Sequence, residues 1–186
     1  GKGLVAFEGP ELAQRPLPLP RGVVPGPLAA YPGGDLLVYD YASGKAFRLS
    51  PGGAEVTAVE IPGKVTGLAT SPSGGFYAAI AAQASVLRVS ANGSVEDTWT
   101  LPAHDEKPAW PVGLVAEPGG GVLVVDRHGG RILLLDGGGR VAGLGSRHGW
   151  EPGHLHFPSG IARLPGGLVL VADEGNGRAQ VFRRTD

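Results

Sequence analysis

One stretch of this chain returns three times without a gap. It reads "PLAAYPGGDLLVYD" from Pro27, "GLATSPSGGFYAAI" from Gly67, "GLVAEPGGGVLVVD" from Gly113 and "GIARLPGGLVLVAD" from Gly160. Every copy holds a proline near its middle (Pro32, Pro72, Pro118, Pro165) and a glycine two residues later (Gly34, Gly74, Gly120, Gly167). Successive copies begin 40, 46 and 47 residues apart. A period of that length belongs to propeller blades or to helical arrays.

Propensity separates the two. The runs "LLVYD", "VLVVD" and "LVLVAD" are short, rich in Val and Leu, and bounded by Gly-Gly or Pro-Gly turns. No segment carries an apolar stripe of 3.6-residue period over a helical length. The unit is therefore made of strands, and four fit in each copy: an inner strand such as 65–70, a central strand such as 122–125, a third such as 131–135 and an outer one such as 56–61. Four antiparallel strands in about 45 residues make one blade of a β-propeller. The fold class expected is all-β, a propeller of four-stranded antiparallel blades with about four blades' worth of strands.

The same frame accounts for 33 Gly and 17 Pro in 186 residues, a content that would otherwise suggest low complexity. Pro presets φ near −65° early in a turn and the following Gly accepts positive φ, so "PGG" and "PSG" fold one strand tightly onto the next. "SPGG" (50–53), "SANG" (90–93) and "DGGG" (136–139) build the second turn of each blade in the same way. Central strands that are apolar throughout suit sheets covered on both faces, which a blade achieves only by stacking on its neighbours.

Aligned to this frame, residues 1–21 correspond to the last two strands of a blade, 22–64, 65–110 and 111–157 to complete blades, and 158–186 to the first three strands of another. Two arrangements satisfy that permuted pattern. Either the N-terminal strand completes the last blade and closes a four-bladed ring, or the chain is a subunit or fragment of a larger propeller or complex. The second expectation is preferred, because a redundant N-terminal strand fits closure poorly.

Several classes of function are disfavoured by composition. The formal net charge is −1 with both signs interspersed, so there is no field to draw DNA or an anionic membrane. No apolar run approaches the roughly 20 residues of a membrane-spanning helix. With no Cys, disulfides, thiolate metal sites and cysteine nucleophiles are excluded. The absence of Met, even at position 1, is expected of a processed or truncated chain, and a soluble protein in a secreted or periplasmic location is the expectation.

"FPSGIARLPGGLVLVADEGNGRAQVF", from Phe157, resembles the NHL repeat, whose blades run from a Pro-x-Gly-Ile-Ala start through a Val-Ala-Asp strand end to Gly-Asn-x-Arg-Val-Gln-Val-Phe. "WPVGLV" with "VLVVDRHGGRILLLD" is similar more loosely, as is "VYDYASGKAFRLS", and "FYAAIAAQASVLRVS" diverges. The resemblance implies an NHL-like β-propeller. Zinc lyases of that kind carry histidines just after the Pro that opens an inner strand. Here those positions are Gly26, Val112 and Ser159, so that chemistry does not carry over.

Within the last copy, Asp173, Asn176 and Arg178 gather acid, amide and base in six positions, as a catalytic site would. Sister copies argue otherwise. Asp126 and Arg131, and Asp40 and Lys45, repeat the spacing of Asp173 and Arg178, while Ile80 and Ser85 lose acid and base together. A catalytic acid is needed once; these are expected to be structural pairs.

Two loops remain. "RHGWEPGHLHF" (147–157) holds His148, His154 and His156, which would bind zinc or iron if an irregular loop turned all three to one point; on an extended segment His154 and His156 face opposite ways. The alternative is a linker whose Trp150, Leu155 and Phe157 pack between blades. "AHDEKPAW" (103–110) offers His104, Asp105, Glu106 and Trp110 as rim contacts for calcium or a partner. No Gly-x-Ser-x-Gly elbow and no Lys-Ser/Thr phosphate loop is present. The function expected is a non-catalytic protein-binding or scaffold module without a cofactor, its partner a protein or a second copy. The alternatives are a lyase, lactonase or hydrolase using a metal on the His148, His154 and His156 loop, and an RNA-binding propeller using Arg163, Arg183 and Arg184.

Overall fold

Strands form where the apolar runs predict them. The computed structural model describes residues 4–8, 13–17 and 19–183. A hairpin of β1 (Leu4–Glu8) and β2 (Ala13–Leu17) is a separate two-stranded sheet. Blade 1 contains β3 (Pro25–Ala30), β4 (Leu36–Asp40), β5 (Lys45–Leu49) and β6 (Glu55–Glu60). Blade 2 contains β7 (Gly67–Thr70), β8 (Phe76–Ile80), β9 (Ser85–Val89) and β10 (Val95–Thr100). Blade 3 contains β11 (Pro111–Ala116), β12 (Val122–Asp126), β13 (Arg131–Leu135) and β14 (Val141–Gly145). The last sheet has three strands, β15 (Gly160–Arg163), β16 (Leu168–Asp173) and β17 (Arg178–Arg183). Every sheet is an antiparallel meander in chain order, the arrangement of a β-propeller blade.

The inner strands β3, β7, β11 and β15 lie side by side and run the same way. Thr66 Oγ1 donates to Pro111 O at the start of the neighbouring inner strand (2.7 Å), and Thr70 Oγ1 to Ala30 O at the end of the other (2.7 Å). Glycine at the head of the repeat follows from this crowding. A Cβ on Gly67 would stand 3.0 Å from Val112 O, and one on Gly113 3.1 Å from the Ile161 backbone. The expected inner strand 65–70 begins two residues late, although Thr66 N–H already donates to Ala79 O. Among the described residues, β17 pairs only with β16 and β1 only with β2, so the N-terminal strand is not the outer strand of the last sheet.

Blades stack by one rule. The residues of one blade facing forward (Leu37, Tyr39, Ala46, Val59) pack on those of the next facing back (Phe76, Ala78, Leu87, Val89) in a common core. Tyr77, Ala79, Val86 and Trp99 meet Val122, Val124, Leu133 and Leu135 in the same way. The third interface is small, with Val125, Ile132, Leu155 and Val171 as its buried residues. The outer strands of blades 1 and 2 also press a side chain onto the following blade's second turn. Val59 lies against Gly93, where a Cβ would come within 2.8 Å, and the Trp99 indole lies against Gly139, where a Cβ would overlap the ring. Only glycine fits beneath them, and both have positive φ, 88° and 78°.

Candidate functional site

Because every inner strand runs the same way, the two ends of the blades differ. One end carries the first turn of every meander and the third turn of blades 1 to 3, the latter being 50–53, 90–93 and 136–139. The other carries the middle turns and the linkers between blades: 41–44, 61–66, 81–84, 101–110, 127–130, 146–159 and 174–177. We call these the turn face and the linker face. All four exposed aromatic residues among those described, Tyr41, Trp110, Trp150 and Phe157, stand on the linker face. So do all the non-glycine residues with positive φ: Ala84, Asp105, Glu106, Ser146 and Phe157. Each such residue costs on the order of 1–2 kcal/mol, and strain of this kind collects at sites that bind or react.

The repeated carboxylates hold these linkers in place. Asp173, fully buried, accepts His156 N–H through Oδ1 (2.7 Å) and Arg178, Asn176 and Gln180 through Oδ2 (2.9, 2.8 and 2.9 Å). Those three side chains reach onward to linker carbonyls: Arg178 to Glu151 and His154, Gln180 to His154, Asn176 to Gly149. Asp126 accepts Trp110 N–H (2.8 Å) and Arg131 Nε (2.8 Å), and Arg131 reaches Pro102 O (2.6 Å). Acid and base at this spacing therefore form a latch that pins the incoming linker.

Blade 1 departs from the expectation. Asp40 and Lys45 are partners in the ladder, yet Asp40 gives its oxygens to Val24, Ala42 and Ser43, and exposed Lys45 makes no ion pair with it. The pair expected there is corrected to an Asp–Ser one, because Ser43 in the middle turn reaches the carboxylate first. In blade 2, where the pair is absent, Ile80 packs on Gly63 instead. Burial pushes the carboxyl groups of Asp173 and Asp40 up, and their several donors outweigh it, so both lie below the ordinary carboxylate range.

His148, His154 and His156 do not converge. His148 and His156 meet edge to face at 5.1 Å within a cluster that includes Trp150 and Phe157, while the His154 ring lies over Gly149. Among the described residues no three His, Asp or Glu side chains are placed to hold one metal ion. The rings are not placed as the expected metal triad: the latch from Asp173, Arg178 and Gln180 fixes the loop with His148 and His156 among aromatic rings and His154 against Gly149.

A different set of histidines comes together. His104, Asp105, Lys107, Pro108, His128, His148 and Phe157 line a cleft of about 410 Å³ on the linker face. His128 approaches Pro108 O through Nδ1 (3.3 Å) and stacks on Trp110 at 5.1 Å. His104 and Lys107 bridge across a tight turn whose tip is Asp105 and Glu106, and Glu106 lies beyond the cleft lining. Arg127 ties blade 3 to the last sheet, donating to Phe157 O (3.0 Å) and Glu174 (2.8 Å), and Glu174 is held below the ordinary range by that guanidinium.

Sequence reasoning missed His128 and Arg127. Its available signal was position: the middle turns and the linkers share one face in any such meander. It singled out Arg163, Arg183 and Arg184 for RNA. Arg163 is paired with Glu117 on the turn face, and Arg184 lies outside the described residues.

Comparison with known proteins agrees with this architecture. No curated protein matches the chain by sequence. Virginiamycin B lyase from Staphylococcus aureus superposes with a TM-score of 0.66 at 13% identity, covering 96% of this chain and 62% of that one. Its catalytically inactive histidine-to-alanine variant with quinupristin gives 0.68 at 14%, over 94% and 60%. Glutaminyl cyclase from Myxococcus xanthus gives 0.60 at 16%, over 92% and 78%. The chain thus spans about 60% of the length of the lyases, and at these identities the likeness is one of fold. The family model for the NHL repeat matches residues 155–182, the sheet that carries the fullest latch, and the stacked antiparallel blades give the chain the fold of a β-propeller.

Proposed function

We propose that the chain is a binding module that holds a peptide segment of a protein partner on its linker face. One observation carries the reading: the exposed aromatic side chains and the strained non-glycine residues share this face, while the opposite face is built of plain turns. Amphipathic rings such as Trp110 and Trp150 are the residue types that anchor protein partners. The cleft supplies a pocket of suitable size between them, with imidazole acceptors and a mixed-charge rim at Asp105, Glu106 and Lys107.

Selection from a random peptide library tests this. Peptides enriched on the protein are expected to lose at least about tenfold in affinity with Trp150→Ala or His148→Ala and to be indifferent to Arg140→Ala on the turn face. Enriched peptides insensitive to both linker-face variants would overturn the proposal.

A second reading is favoured by the grouping of His104, His128 and His148 in one cleft, imidazole being the side chain most often used in acid–base catalysis. In that reading the chain is a propeller enzyme like its structural neighbours. Quinupristin, held in the neighbour's structure, and a peptide with N-terminal glutamine are the natural probes. Turnover abolished by His128→Ala would favour it, and unchanged substrates after prolonged incubation would exclude those two reactions.

A further inference from the structure

The strand ladders place Val59, Trp99 and Gly145 at one position of the blade, opposite Ala46, Val86 and Ile132 in turn. In blades 1 and 2 this residue is buried and fills the seam with the following blade. In blade 3 it is glycine, and the seam opens into a groove of about 420 Å³, lined by Leu123, Ile132, Val169 and Phe182, with Arg183 and the Arg163–Glu117 ion pair as its charged residues.

Backbone geometry does not demand glycine there. A Cβ on Gly145 would stand 3.7 Å from Ile132, one on Gly143 3.5 Å from Leu134, both ordinary contacts, and neither residue has positive φ. Two glycines inside a strand weaken it; the bulge beside Gly143 recurs beside Thr57 in blade 1 and Asp97 in blade 2, so it does not call for glycine, and the pair then marks a place that another group approaches closely.

We infer that this groove between blades 3 and 4 is a binding site for a small aromatic molecule bearing an anionic group. The ring takes the place that the Trp99 indole fills one blade earlier, and the anion faces the exposed guanidinium of Arg183. The volume is within the range of small-molecule pockets, and the lining is largely apolar; Arg163 is engaged by Glu117, and Arg183, outside that pair, is the cation that sets the orientation. The site lies apart from the linker face and does not depend on the function proposed for it.

Indole-3-acetate and indole, titrated into the whole chain by calorimetry and ligand-observed NMR, test the inference. Indole-3-acetate is expected to saturate with a Kd of about 1 mM or tighter and to bind roughly tenfold better than indole. Gly145→Trp, which supplies the residue of blade 2, is expected to abolish binding of both probes with no fall in thermal midpoint. Gly145→Val, the residue of blade 1, is the milder variant should the indole overfill the seam, and it is expected to weaken both probes. Arg183→Ala should bring indole-3-acetate to the affinity of indole. Absence of saturation by about 10 mM, or binding that survives both substitutions at position 145, would overturn the site, and a carboxylate preference that survives Arg183→Ala would overturn the anionic part.

Discussion

Removing the carboxylate of Asp126 is the sharpest test of the latch. Its side chain is wholly inaccessible and that of Arg131 only 7% exposed, so solvent does not discount the pair as it does on a surface. Asp126→Ala leaves a buried guanidinium with Pro102 O as its remaining named partner and leaves the Trp110 N–H without its acceptor. Breaking a buried pair from one side costs about 3–5 kcal/mol, most of it the price of the stranded charge. Domains of this size are stable by only about 5–15 kcal/mol, so the variant should sit near the edge of folding. Asp126→Ile with Arg131→Ser copies the solution of blade 2 and strands no charge; it should recover about 1–3 kcal/mol of that loss. Urea titrations of the two variants and Arg131→Ser alone, followed by circular dichroism, complete a double-mutant cycle. A cost below about 1 kcal/mol for Asp126→Ala, or a double variant no more stable than the single one, would refute the latch as an energetic element.

Acid should loosen the same linkers. Asp40 and Asp173 have folded pKa values below their unfolded ones, so their stabilisation is complete above pH of about 4 and is lost as pH falls through the lowered folded values; Asp173→Asn should flatten that limb of the stability profile. Gly139→Ala combines a left-handed backbone with overlap onto the Trp99 ring and should cost about 2 kcal/mol or more in chemical denaturation, whereas Gly137→Ala, with open space around it, should change stability by less than about 1 kcal/mol. Arg127→Ala should raise the Glu174 pKa towards the ordinary carboxylate value, seen by NMR titration of its side-chain carboxyl carbon.

Much of this was legible in the sequence because repetition supplies its own controls. Four copies of one segment located the strands to within two residues, and the joint loss of acid and base at Ile80 and Ser85 identified Asp126–Arg131 and Asp173–Arg178 as structural pairs. The same logic misjudged Lys45, since a spacing says that two side chains can meet and not which donor is nearer; Ser43 is. The histidine loop was read along the chain, where His148, His154 and His156 are neighbours. Its fold depends on hydrogen bonds from Arg178 and Gln180, more than twenty residues away, and these leave His148 and His156 in contact while His154 lies against Gly149. The cleft unites His104, His128 and His148 from three segments, a proximity that only the stacking of blades creates.

The side chain that the outer strands of blades 1 and 2 each lay on the next blade's turn gives the stack a direction. Val59 secures blade 2 and Trp99 secures blade 3, so each of these two blades depends on its predecessor for the order of its second turn. At Gly145 that chain of dependence is interrupted, and the interface beyond it buries few side chains. In a quasi-one-dimensional array, cooperativity ends where a nearest-neighbour term is weak. Opening should therefore begin at this joint, with amide protons of β15 to β17 exchanging through a partial unfolding that leaves blades 2 and 3 closed, so that the last blade behaves as a cooperative unit of its own.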